Sequence, residues 1–173
     1  MRLAQPQPRV LVIHGPNLNL LGEREPAIYG SVTLPQLDAS LHTLSAELGV
    51  QLTTRQSNSE GTIIDWIQAA RHVQDSPHAQ DGLIINPGGY THTSVAIHDA
   101  LRAVSIPVVE VHLSNILGRE TFRQVSVTGV ACAGVIMGLG PASYLLALRH
   151  LASVLAPVLA QDQAPTPGKL PTH

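Results

Sequence analysis

The chain has 173 residues, a formal net charge of -2 and only 13% charged residues. That balance excludes the basic stripe of a nucleic-acid binder and the polybasic patch of an anionic-membrane binder. Hydrophobic residues at 44% exclude a disordered chain, and the length suits one domain with a full core. Residues 1–8 are rich in Gln and Pro and are expected to be a disordered N-terminus. The apolar run Arg9–Ile13 predicts a first buried strand, which feeds the long loop His14 to Gly30. Thr33 predicts the cap of a helix to about Leu48, with Leu34, Leu37, Leu41, Leu44 and Leu48 at helical spacing and Gly49 as the stop. A second strand is expected over Val50–Gln56, then a helix from a Ser59 cap through about Val73. A third strand, Gly82–Asn86, leads into a Gly-Gly turn and a helix opened by Thr93 or Ser94 and closed near Val104. Strands four and five are expected at Val108–Leu113 and Ala131–Met137. Pro141 marks the first turn of a last helix with Leu145, Leu148, Ala152 and Leu155 on one stripe. Residues 158–173 are expected to be a flexible Pro-rich tail.

Five strands alternating with helices predict an α/β domain over residues 9–157, flavodoxin-like, with a parallel sheet wound on both sides. The single cysteine, Cys132, excludes an intrachain disulfide and fits a reducing compartment, so a cytoplasmic location is expected. No secretory signal or membrane span is read. The low charge fraction hints at self-association.

In such a sheet the carboxyl ends of the strands meet at one edge, and that edge is where chemistry is sought. After strand one come Asn17, Asn19, Arg24 and Tyr29. After strand three come Asn86, Gly88, Gly89, Thr91, His92, Thr93 and Ser94. Strand four carries Glu110 and His112, with Ser114, Arg119 and Arg123 beyond. Glu110 and His112, two apart on a strand, point to one face. A carboxylate on one ring nitrogen fixes the tautomer and lets the other pass a proton. The alternative is a plain ion pair. Tyr29 near Arg24 is a candidate general base. A phenol with a pKa of about 10 needs roughly 3–4 kcal/mol to fall two to three units. One guanidinium at about 4 Å supplies on the order of 4 kcal/mol at an effective dielectric of 20. A surface arginine and a tyrosine anchoring a lid fit the residues equally well. Gly88-Gly89 ahead of Thr91, Thr93 and Ser94 has the composition of an anion cradle, or of a tight turn. His14, His92, His98 and His112 invite a metal, but no ligand spacing supports one. Lys169 is the only lysine and lies in the tail, so an imine mechanism has no nucleophile in the core. Two other readings are a flavodoxin-like module binding phosphate or flavin, and a metal-dependent hydrolase.

These segments resemble the type II 3-dehydroquinate dehydratases. The matching stretches are Gly15 to Gly22 with Arg24, Tyr29 and Gly30; Arg55 to Gly61; Asn86 to Ser94; Glu110 to Asn115; Arg119 and Arg123; and Gly138 to Gly140 before Tyr144. The departures are His14, where Asn is frequent, and the tail. The resemblance implies a cofactor-free and metal-free dehydration of 3-dehydroquinate to 3-dehydroshikimate in the shikimate pathway. Tyr29 would take the proton, with Arg24 holding its phenolate. Asn17 would hold a water on the enolate. His112, oriented by Glu110, would be the acid, and Asn86 would position that end of the substrate. The backbone at Leu113 and Ser114 would hold the carboxylate, and His92 and Arg123 the hydroxyls. Asp99 would reach in from a neighbouring subunit, and Arg24 and Arg119 would belong to a lid. The implied assembly is a homododecamer of four trimers.

Overall fold

The computed structural model describes residues 7–23, 31–71 and 76–161, the side chains of 157–161 excepted. Five parallel strands form one sheet: β1 Arg9–His14, β2 Gln51–Gln56, β3 Gly82–Asn86, β4 Val108–His112 and β5 Gly134–Met137. Their order is β2-β1-β3-β4-β5, the doubly wound order of flavodoxin. Strands β1, β3 and β4 are central and almost wholly buried. β2 alternates between exposed and half-buried residues, as an edge strand with one covered face should. The helices are α1 Leu34–Leu48, α2 Glu60–Ala69, α3 Val95–Arg102 and α4 Ala142–Gln161. No helix among the described residues is long and apolar enough to cross a membrane.

The two faces of the sheet bury separate cores. Val10, Val12, Ile84, Val109 and Val111 meet the leucines of α1 and the Leu148–Leu151 stripe of α4. Leu11, Ile13, Leu83, Ile85 and Val108 meet Ile63 and Ile67 of α2 and Ile97 and Leu101 of α3. Strand alternation then sorts the polar residues at the strand ends. His14 and Asn86 fall on the α1/α4 face, and Glu110 and His112 on the α2/α3 face.

The helix starts follow the expected caps. Thr33 Oγ1 accepts from the Gln36 N–H while the Gln36 side chain accepts from the Thr33 N–H, a full capping box, and Gly49 ends α1 at φ 68°. Ser59 caps α2. Ser94, not Thr93, caps α3 through the Ile97 N–H at 2.8 Å. Three boundaries differ from expectation. α2 ends at Ala69 because the chain turns at Ala70 and Arg71; Val73 lies outside the described residues. α3 stops at Arg102. β5 begins at Gly134 because Gly129–Ala131 forms a 3-10 turn instead.

The exits of β1 and β3 cross at close range. The Gly15 N–H donates to the Asn86 carbonyl at 2.8 Å. A Cβ on Gly15 would lie 2.6 Å from the Pro87 backbone, and one on Gly88 would lie 3.0 Å from the Pro16 carbonyl. Gly88 also sits at φ 59°, so both loops need glycine to pass. Gly15→Ala is expected to destabilise the protein by about 1–3 kcal/mol, as overpacking does. A chemical-denaturation midpoint equal to that of the parent would contradict this.

Candidate active site

An open cleft of about 180 Å³ lies at the carboxyl edge of the sheet, over the β1/β3 reversal and the end of β4. Asn17, Asn86, Gly88, Gly89, His92, His112, Leu113, Ser114, Arg119 and Arg123 line it. This is where strand order reverses, and where doubly wound sheets bind ligands.

The end of β4 supplies a buried acid–base pair. His112 Nε2 lies 2.8 Å from Glu110 Oε1, and the Glu110 side chain has no exposure. The carboxylate accepts two further hydrogen bonds, from Ser126 Oγ at 2.7 Å and from Thr128 Oγ1 at 2.5 Å. Three donors on one carboxylate offset the cost of burying it. With Nε2–H committed to Glu110, His112 Nδ1 is the nitrogen left for proton exchange.

The His92 side of the cleft is fixed by the segment 125–128. The His92 Nδ1–H donates to the Val125 carbonyl at 2.8 Å, which leaves Nε2 as the free ring nitrogen. The His98 ring donates to the Val127 carbonyl at 2.9 Å, and the Val127 N–H donates to the Thr91 carbonyl at 2.8 Å. On the outer side, Glu120 Oε2 lies 3.3 Å from Arg119 Nε and 3.2 Å from Arg123 Nε. A backbone hydrogen bond, aided by both guanidiniums, holds the Glu120 carboxyl below its ordinary value. Arg119 Nη1 also reaches Ser114 Oγ at 3.5 Å.

Asn17 is the only non-glycine among the described residues at positive φ, 67°. Its short polar side chain tolerates that conformation. The Asn17 N–H is tied to Asn58 Oδ1 at 2.9 Å, and Gln56 Nε2 donates to the same oxygen at 3.1 Å. The first loop is thereby anchored on the exit of β2.

The family model described as "Dehydroquinase class II" matches residues 8–152. The chain belongs to the class II dehydroquinases. A 3-dehydroquinate dehydratase of Bordetella pertussis is 55% identical over 144 residues, covering 83% of this chain and 96% of that protein. A 3-dehydroquinate dehydratase of Rhizobium johnstonii is 52% identical over 147 residues, 85% of this chain and 97% of that one. The crystal structure of the type II dehydroquinase of Butyrivibrio crossotus aligns with a TM-score of 0.79 at 44% identity, covering 84% of this chain and 97% of that chain.

In this class II dehydroquinase chain the cleft brings together most of the residues expected there. Asn17, Asn86, His92, His112, Leu113, Ser114, Arg119 and Arg123 line it, and Glu110 stands behind His112. Asp99 is exposed on α3 and lines no part of this chain's own cleft. Arg24 and Tyr29 lie outside the described residues. The hydroxyls expected to form an anion cradle do not line the cleft. Ser94 caps α3, Thr91 is fully buried, Thr93 is exposed, and of the expected cradle the cleft meets only Gly88 and Gly89. The four histidines considered for a metal have separate partners, and no metal-sized group of three ligands occurs among the described residues. Trp66 packs under Arg55 and Tyr90 donates to the Asn58 carbonyl; neither lines the cleft to stack on a flavin. Burial, and then the Glu110 charge, push the Cys132 thiol up to about 12, which fits its packing role.

Ser126 and Thr128 were not legible as site residues. They lie 16 and 18 residues beyond Glu110 with no pattern linking them to it. A serine–threonine pair just before a small-residue turn was the only available signal.

Proposed function

We propose that this chain dehydrates 3-dehydroquinate to 3-dehydroshikimate without a cofactor, within the shikimate pathway. The observation that carries the reading is the buried Glu110–His112 pair opening onto the cleft in a chain of this family. Tyr29, held as phenolate by Arg24, removes a proton from the carbon beside the ketone. The electron pair moves to the ketone oxygen, and the enolate is stabilised through a water held by Asn17. The enolate re-forms the ketone as the carbon–oxygen bond at the β-position breaks. His112 gives its Nδ1 proton to the departing hydroxyl, which leaves as water, in an anti elimination. Glu110 offsets the positive charge on protonated His112 and fixes the ring. Asn86 positions the leaving end. The backbone at Leu113 and Ser114 holds the carboxylate, His92 and Arg123 hold the hydroxyls, and Arg119 belongs to the lid with Arg24. Residues 9–157 act as the single catalytic domain. The outward position of Asp99 on α3 suits a contribution to a neighbouring subunit's cleft in a dodecamer of four trimers.

The test is the ultraviolet absorbance of the conjugated enone. Chelator-treated protein mixed with 3-dehydroquinate should produce it at the same rate with or without borohydride. Folded protein that gives no rise would sink the reading, and a borohydride-sensitive rise would replace the proposed chemistry with an imine route.

A further inference from the structure

Past the end of the sheet, side chains from the exit of β2 take over the pairing of the first loop. The Ser57 N–H still donates to the His14 carbonyl at 3.0 Å, a backbone rung that continues the β1–β2 ladder. One residue on, the Gly15 carbonyl accepts from Gln56 Nε2 at 3.2 Å. Two residues further, the Asn17 N–H donates to Asn58 Oδ1 at 2.9 Å, and Gln56 Nε2 reaches the same oxygen at 3.1 Å. Asn58 is itself held from a third loop, because the Tyr90 hydroxyl donates to its backbone carbonyl at 3.0 Å. Backbone groups alone set these directions. A backbone N–H only donates, so the Asn58 atom that meets it is the amide oxygen. A backbone carbonyl only accepts, so Gln56 turns its nitrogen to Gly15 and Tyr90 its proton to Asn58.

We propose that Asn58 is a positioning residue for the dehydration: its amide oxygen clamps the Asn17 N–H and thereby holds the Asn17 side chain at the cleft. This rests on the proposed reaction, in which Asn17 holds the water on the enolate. Asn17 lines the cleft, whereas Asn58, Gln56 and Tyr90 do not. The backbone of Asn17 needs such a clamp. It sits at φ 67° and ψ -1°, in the left-handed region, which a residue with a side chain keeps only where its surroundings over-determine it. The Asn17 carbonyl is used by the turn that follows, accepting the Leu20 N–H at 3.1 Å. The N–H on its other side is what Asn58 holds. Asn17 stands at the start of the 3-10 turn Leu18–Leu20, where an asparagine commonly caps with its own side chain, yet it makes no such bond. Its amide is therefore not spent on the turn it opens. The conformation that a cap would have fixed is fixed from β2 instead, across 41 residues.

Conservative rescue and a double-mutant cycle on turnover test the clamp. Asn58→Ala should lower kcat about tenfold with little change in KM, the scale of one hydrogen bond that holds a group acting in the transition state. Asn58→Asp keeps an accepting oxygen in the same place and should bring kcat back to within about threefold of the parent. Asn17→Gly keeps the left-handed backbone and removes the acting side chain. In that background Asn58→Ala should cost nothing further, because Asn58 acts through Asn17. Three results would overturn the clamp while leaving the dehydratase reading intact: parent kcat in Asn58→Ala, a loss in Asn58→Asp as deep as in Asn58→Ala, or equal, multiplying losses in both backgrounds. Should Asn58→Ala not fold, Tyr90→Phe loosens the clamp from its other side. It should lower kcat about threefold and be silent in the Asn17→Gly background, and a loss that persists there overturns the clamp. If the parent protein turns over no 3-dehydroquinate, the reading above fails and a crystal structure of the Asn58→Ala protein decides. An Asn17 that has left positive φ supports the clamp, and an unchanged one overturns it.

Discussion

Glu110→Ala is expected to remove about 3–5 kcal/mol of stability, the cost of breaking a buried pair, and most of the turnover with it. Glu110 has no exposed surface and satisfies His112, Ser126 and Thr128 at once. Its removal leaves two buried groups, His112 and Thr128, without an acceptor, at about 1–3 kcal/mol each before relaxation, and frees the half-buried Ser126 hydroxyl. His112 then loses the partner that orients its ring. Glu110→Gln separates the two effects. The shape is kept, so the unfolding midpoint should fall less, but an amide cannot accept on both sides and kcat should still drop by about 10²-fold. Denaturant unfolding and enone formation measured on both variants check this. An unchanged midpoint in Glu110→Ala would show that the hydroxyls find other partners.

Tyr29→Phe is expected to lower kcat by about 10³–10⁴-fold, the upper part of what a positioned base contributes. Binding of 3-dehydroquinate, measured by calorimetry, should survive largely intact, because the hydroxyl and carboxylate contacts belong to other residues. The phenol oxygen is the only group lost, so the ratio of the two effects is informative. A kcat within a few-fold of the parent would remove Tyr29 as the base and turn attention to other groups of the first loop.

The architecture was readable because its signals are local. Thr33, Ser59 and Ser94 cap the three helices they precede, and the apolar runs of β1, β3 and β4 are too continuous for edge strands. The pairing of Glu110 with His112 was readable for the same reason, since two residues along a strand share a face. Contacts that join distant positions were not. His14 meets Asp38 across 24 residues and Tyr144 across 130. Only the α1/α4 packing brings them together. The start of β5 was misread because a run of small residues suits a strand and a tight turn alike, and the segment's hydrogen bonds chose the turn at Gly129–Ala131. The Gly-Gly turn had the composition of an anion site, but Ser94 is drawn in to cap α3, Thr91 is buried, and Thr93 is exposed outside the cleft lining.

The short stretch from Val125 to Thr128 is attached at both ends to different parts of the chemistry. Its first carbonyl holds the His92 ring, and its last two polar side chains, with Ser126 first, hold the Glu110 carboxylate. A molecule that pulls on His92 therefore pulls on the support of Glu110 and, through it, of His112. The His92 ring and the Glu110–His112 pair share one mechanical element, so neither can be moved alone by changes within it. Substitutions there should move KM and kcat together, along a single line, whichever of the four residues is altered.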